Sequence, residues 1–116
     1  MNCIIPIKNK FARMILSGKK IYELRKNVLL DIPATVYLYE NESRLIVGKC
    51  IISQIHIGRK ESIWEMVKDN AGITKKWFYK YFENETEAVA WEITSHEKIE
   101  PIKLADLDID SFYVYS

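Results

Sequence analysis

Glycine and proline are scarce in this chain of 116 residues, four and three respectively, and cysteine occurs twice. No linker, low-complexity tract or internal repeat is found. No apolar run approaches the roughly 20 residues that span a bilayer, so no membrane association is expected. Met1–Ile7 is too short for a secretory leader and runs straight into Lys8, which makes a cytoplasmic location the expectation. Cys3 and Cys50 each lie in an apolar, strand-like stretch, with no second Cys or His at zinc-ligand spacing. They read as buried free thiols in a reducing compartment, although sequence does not give the distance between them and so leaves a disulfide open. No metal and no cofactor is expected.

What is present is ordinary in amount and uneven in placement. Hydrophobic residues make up 48% and charged residues 28%, the balance of a soluble globular protein. The length suits one domain over residues 1–116. Net charge is only +1, yet residues 1–60 carry eleven Lys/Arg against four Asp/Glu, and residues 61–116 carry six against twelve. Such asymmetry points to one basic face able to attract phosphate, unless the two halves interleave in space.

The stretch Gly18-Lys19-Lys20-Ile21-Tyr22-Glu23-Leu24-Arg25 places a glycine turn, a lysine, an acid and an arginine at the start of a strand. Strand alternation puts Glu23 and Arg25 on one face, where they can pair. Lys20 has the wrong parity for that face but sits at the turn, where alternation need not hold. One reading is a half-buried strand with a solvated charged face. The sharper one makes Lys20, Glu23 and Arg25 the polar floor of a cleft, with Lys8 and Lys10 adding positive charge nearby.

Around that stretch, Cys3–Ile7 reads as a short strand that Pro6 pushes towards an edge or an end. Asn9 serves as N-cap to a helix carrying Phe11, Met14 and Ile15, closed by Gly18 as its C′ residue. Thr35–Tyr39 and Leu45–Ile55 form a hairpin with a bulge expected at Gly48, and His56 ends the second strand. Ile63, Trp64, Met66 and Val67 mark a short helix ending near Gly72. Thr74 caps another bearing Trp77, Phe78, Tyr81 and Phe82, aromatics most simply read as core. Glu87–Ile93 is a strand with Ala88 and Ala90 on one face and Val89, Trp91 and Ile93 on the other. Pro101, Leu104 and Leu107 mark a loop with a helical turn, and Phe112–Tyr115 completes the sheet. The fold class is mainly β with inserted helices (α+β), a small pseudo-barrel of five or six strands and about three short helices.

The eight-residue stretch resembles the G-x-K-x-x-E-x-R signature of ASCH domains, members of the PUA-like superfamily. Ile7-Lys8, Phe11-Ala12 and Ile15-Leu16 look like that family's opening helix, and Val36–Tyr39 with Val47-Gly48 like its central hairpin. Trp64, Gly72-Ile73, Phe78, Tyr81-Phe82, Ala88, Ala90 and Pro101-Ile102-x-Leu104 resemble a prokaryotic subgroup described as PUA-like predicted transcriptional regulators. Asn9 departs from the proline frequent in that subgroup. No helix-turn-helix is present, which leaves DNA recognition by a reading helix unsupported.

The resemblance implies a PUA-like pseudo-barrel whose cleft, lined by the signature residues, holds RNA or a nucleotide-like ligand in a regulatory role. Lys8, Lys10, Lys20, Glu23 and Arg25 are the polar candidates, and Tyr39, Trp64 and Tyr81 the aromatic ones. Lys20 and Arg25 suit a phosphate or a base acceptor edge, Glu23 an exocyclic amine, and Tyr39 or Trp64 a stacked base. The alternative implied by some relatives is amidohydrolysis of a modified nucleoside such as N4-acetylcytidine, with Lys20 and Glu23 as the catalytic pair. There Glu23 stands in the place of a threonine. Nuclease activity finds no carboxylate cluster of the metal-binding kind in the sequence.

Overall fold

The structure, a computed structural model, describes residues 1–115. In chain order it contains β1 (Asn2–Ile7), α1 (Asn9–Leu16), β2 (Tyr22–Leu24), β3 (Ala34–Glu40), β4 (Leu45–Gly58), α2 (Lys60–Val67), α3 (Lys75–Tyr81), β5 (Ala88–Lys103) and β6 (Tyr113–Val114). Short 3-10 turns at Leu104–Asp106 and Ile109–Ser111 precede β6. The strands form one mixed sheet in the order β2-β5-β4-β3-β1-β6, in which β1 runs parallel to both β3 and β6. This is the expected β-rich fold with three inserted helices.

Two apolar layers hold it together. Alternation along β5 sends Val89, Trp91 and Ile93 to one side, where they meet Cys3, Ile5, Val36, Leu38, Ile52 and α1's Ala12 and Ile15. Ala88 and Ala90 face the other side and pack with Leu24, Ile63, Trp64, Val67, Phe78 and Phe82. Small side chains there let α2 and α3 approach the sheet closely. Trp91 is fully buried, and its indole N–H donates to the Asn27 carbonyl at 3.0 Å, tying down the loop after β2. Gly48 serves a similar purpose on β4, because a Cβ there would lie 2.6 Å from a Leu16 methyl. The ladder shifts register on both sides of it, at Leu38/Tyr39 and at Ile46/Gly48, which is the anticipated bulge.

Several sequence expectations need correction. The N-cap of α1 is Lys8, with no side-chain cap bond, and Asn9 is already helical. Helix α2 stops at Val67, well short of Gly72. Strand β4 continues through His56 to Gly58, and β5 runs ten residues beyond Ile93, taking in Pro101. Pro101 is tolerated because the β4–β5 register shifts between Lys98↔Gly48 and Ile102↔Ile46, so the ladder does not need its missing N–H. The strand read over Phe112–Tyr115 is confined to Tyr113–Val114. Both cysteines are buried free thiols. Burial raises the Cys3 thiol and pushes Cys50 up to about 12, so both stay protonated at neutral pH.

Pro6 shows how the fold brings its sheet edges together. Strand β6 covers only Cys3 and Ile4 of β1, leaving β1 open on that side at Pro6. Arg25, just past β2 at the opposite end of the strand order, donates from Nη2 to the Pro6 carbonyl at 2.8 Å. The two ends of the sheet are thus drawn together by a side chain rather than by a strand ladder. That seam makes the open sheet a pseudo-barrel.

Candidate functional site

The seam is where the charged stretch lies. Helix α1 ends on Gly18, whose φ of +82° is the left-handed conformation that favours glycine. The amides of Lys19 and Lys20 both donate to the Met14 carbonyl at 3.0 Å, so the chain folds back under its own helix. Ile21 then bridges two elements: its N–H donates to Asn70 O and its carbonyl accepts from Ile93 N–H, each at 2.8 Å. This anchoring fixes Lys20 from both sides and feeds the short strand that presents Glu23.

Lys20, Glu23 and Arg25 converge. The Lys20 ammonium lies 3.4 Å from Glu23 Oε1, and the Arg25 Nε donates to Glu23 Oε2 at 2.8 Å. Lys20 also donates to the Ala71 carbonyl at 2.6 Å. Lys20 is 2% exposed and Glu23 7% exposed, so one carboxylate is shared by two cations out of bulk water. Burial holds the Lys20 ammonium below the usual lysine range, while the Glu23 carboxylate pulls it back up. With one acid and two bases the cluster carries one net positive charge. Arg25 keeps its Nη1 donors free of these partners, so the cluster is arranged to meet an anion.

A hollow of about 180 Å³ opens over this cluster. Lys20, Glu23 and Arg25 line it together with Lys8, Asn41 and an aromatic wall of Phe11, Trp77 and Tyr81. Trp77 stacks on Tyr81 with ring centroids 5.0 Å apart and meets Phe11 edge-on at 6.4 Å. Lys26 caps the Tyr81 ring at 4.9 Å, and burial raises the Tyr81 hydroxyl above its usual range. Trp77 is 38% exposed and so presents an aromatic surface at the rim.

Of the residues singled out from sequence, Lys8, Lys20, Glu23, Arg25 and Tyr81 line this hollow, while Lys10 lines a neighbouring one. Tyr39 and Trp64 line neither. Trp64 is buried against Phe78 at 5.2 Å in the outer apolar layer, and Tyr39 alternates with core-facing Leu38 and so points out of β3. Phe11, Trp77, Ile73 and Asn41 also line the hollow and were not among the candidate site residues, Phe11 and Trp77 being read as positions on apolar helix faces. Phe11 and Trp77 carry the expected helical spacing, and the signal available was that each follows directly on a lysine of the same helix. His56 pairs with Glu92 at 2.8 Å, away from the hollow, as a hydrogen-bonded histidine. Among the described residues, no three His, Cys, Asp or Glu side chains gather in a metal-binding group, and no helix is long and apolar enough to cross a membrane.

No family profile matches the chain. A protein of Zymomonas mobilis named "ASCH domain-containing ribonuclease" is 27% identical over 106 residues, covering 90% of this chain and 72% of the relative. The crystal structure of an ASCH protein from Zymomonas mobilis superposes with a TM-score of 0.83 at 26% identity, over 90% of this chain and 74% of the other. A tyrosine-to-phenylalanine variant superposes equally well, with a TM-score of 0.83. A protein from Pyrococcus furiosus, 20% identical with a TM-score of 0.52 over 86% of this chain and 99% of its own, shares the fold alone. Sequence and three-dimensional likeness thus agree over most of the chain's length, and in both the chain is similar to ASCH domain proteins.

Proposed function

We propose that the chain binds single-stranded RNA by seating a phosphodiester in the hollow against Lys20 and Arg25, with an adjoining base on the Phe11–Trp77–Tyr81 wall, and that it acts as a regulatory binding domain. The observation that carries this reading is the convergence of Lys20, Glu23 and Arg25 on one hollow with a net positive charge. Arg25 offers a phosphate the Nη1 donors that Glu23 and Pro6 leave free, and Glu23 fixes both cations in place. Stacking on such a wall contributes about 1–3 kcal/mol per base without demanding a particular sequence.

A titration across ionic strength tests it. Affinity for single-stranded RNA falls linearly on a log–log salt plot, with a slope of about −0.7 per phosphate contact. Replacing Arg25 by Gln weakens binding and flattens that slope. Affinity indifferent to salt, or unmoved by R25Q, overturns the reading.

Strand cleavage is a second reading, and Lys20 favours it. Burial that lowers its pKa makes it a better general base, and the Zymomonas mobilis relative is named a ribonuclease. Neutral Lys20 would take the proton from a 2′-hydroxyl as O2′ attacks the adjacent phosphorus. The bond from phosphorus to O5′ then breaks, leaving a 2′,3′-cyclic phosphate and, once O5′ is protonated, a 5′-hydroxyl. End-group analysis of incubated RNA decides between binding and cleavage. The same incubation with N4-acetylcytidine tests amidohydrolysis, in which Glu23 would have to leave its two cations to act on substrate.

A further inference from the structure

We propose that a second hollow, on the far side of the Phe11–Trp77 pair, is a subsite for the neighbouring phosphate of the same RNA strand. The proposal rests on the reading of the first hollow as an RNA site, and extends it from one phosphodiester to two.

The second hollow, about 370 Å³, is larger than the first and shares Lys8, Phe11, Ile73 and Trp77 with it. The two are therefore neighbouring compartments divided by an aromatic ridge. By itself the first hollow falls below the roughly 300 Å³ at which ligand sites usually begin. It accommodates part of a nucleotide, and a strand lying in it must continue elsewhere.

Charge favours continuation across the ridge. Lys8, Lys10 and Lys68 line the second compartment, against Asp69 alone. Lys68 is partly balanced by Glu65 at 2.9 Å, but among the described residues neither Lys8 nor Lys10 has an acidic partner. One cation from each compartment lies near the dividing ring: Lys20 is 5.2 Å from the Phe11 centroid and Lys10 is 5.1 Å from it. Phosphates of a strand crossing that ring would each meet an ammonium, while the exposed Trp77 supports the base between them.

The wall of the second compartment is held to the floor of the first. Asn70 O accepts from Ile21 N–H, and Ala71 O from Lys20. Gly72 has φ +73°, and a Cβ there would fall 2.5 Å from the Met14 methyl, so this loop sits tightly on α1. Thr74 then caps α3 by accepting from Trp77 N–H at 3.1 Å. The spacing between compartments is thereby fixed before any ligand arrives, which limits the ordering cost of binding.

The experiment compares Lys10→Gln/Lys68→Gln with Arg25→Gln, using the full chain, an oligouridylate of about eight nucleotides and uridine 3′-monophosphate. The double variant is expected to lose about ten-fold in oligonucleotide affinity at low salt, with a log–log salt slope shallower by about 0.7 per lost phosphate contact. Uridine 3′-monophosphate, which needs one compartment only, competes as well against the double variant as against the parent. An unchanged oligonucleotide slope in the double variant, while Arg25→Gln flattens it, overturns the second subsite and spares the first. Equal losses for both ligands overturn it too, since they reveal a diffuse field. Absence of RNA binding by the parent, or no response to Arg25→Gln, removes the reading of the first hollow and this proposal with it.

Discussion

Replacing Glu23 by alanine is expected to destabilise the fold by about 3–5 kcal/mol, the usual consequence of stripping the counter-charge from a buried ion pair. The magnitude follows from what remains. Lys20, at 2% exposure, would keep only the Ala71 carbonyl, and Arg25 only the Pro6 carbonyl. Two cations would then share a poorly solvated seam with no acid between them. Because Arg25 also draws the ends of the sheet together, the loss reaches the barrel itself. Glu23→Gln keeps the shape and one acceptor oxygen, so it costs less than alanine. Urea unfolding at neutral pH measures both. A loss below about 1 kcal/mol for the alanine variant, the range of an exposed pair, would mean that the cluster is solvated and the seam is held by something else.

On the proposed reading of the hollow, Lys20→Met is expected to produce the largest functional effect. A hydrogen bond to a charged group contributes about 1.5–3 kcal/mol, so RNA affinity at neutral pH should fall by about ten- to a hundred-fold. Its pH dependence carries a further signature. Burial lowers the Lys20 pKa, so the unfolded chain binds more protons than the folded one between the folded pKa and the ordinary value of 10.5. Stability of the parent relative to Lys20→Met therefore rises with pH across that window, as the cost of burying the ammonium is relieved. RNA binding moves the opposite way, because the neutral amine no longer attracts phosphate. Urea unfolding and fluorescence anisotropy, repeated from neutral pH up towards the ordinary lysine value of 10.5, should show the two trends diverging in the parent. Parallel pH profiles for parent and variant would remove Lys20 from the account.

Much of this was legible in residues whose local chemistry admits one conformation. Gly18 closes α1 at a positive φ and Thr74 caps α3, both as their spacing indicates. The alternation of Ala88 and Ala90 against Val89, Trp91 and Ile93 marks a strand buried on both faces, which the two apolar layers show it to be. What escaped was structure held by distant partners. Thr94–Glu100 carries no apolar alternation because it is almost wholly exposed, and it is a strand because β4 pairs with it. The site had the same difficulty. That Glu23 and Arg25 share a face follows from strand parity, but the acceptors that bury Lys20 and Arg25 lie at Ala71 and Pro6, 51 and 19 residues away. The aromatic rim was hidden because Trp77 and Phe78 are adjacent on one helix: Phe78 turns into the core, and Trp77 turns to the hollow.

Titration of isotopically labelled protein with single-stranded RNA, followed by backbone and indole NMR signals, tests the central claim most directly. Binding at the seam predicts saturable shifts centred on Lys20, Glu23, Arg25, Phe11 and the Trp77 indole. Shifts confined to the exposed apolar loop at Val28, Leu30 and Ile32, or to β6, with the seam signals unmoved, would contradict it.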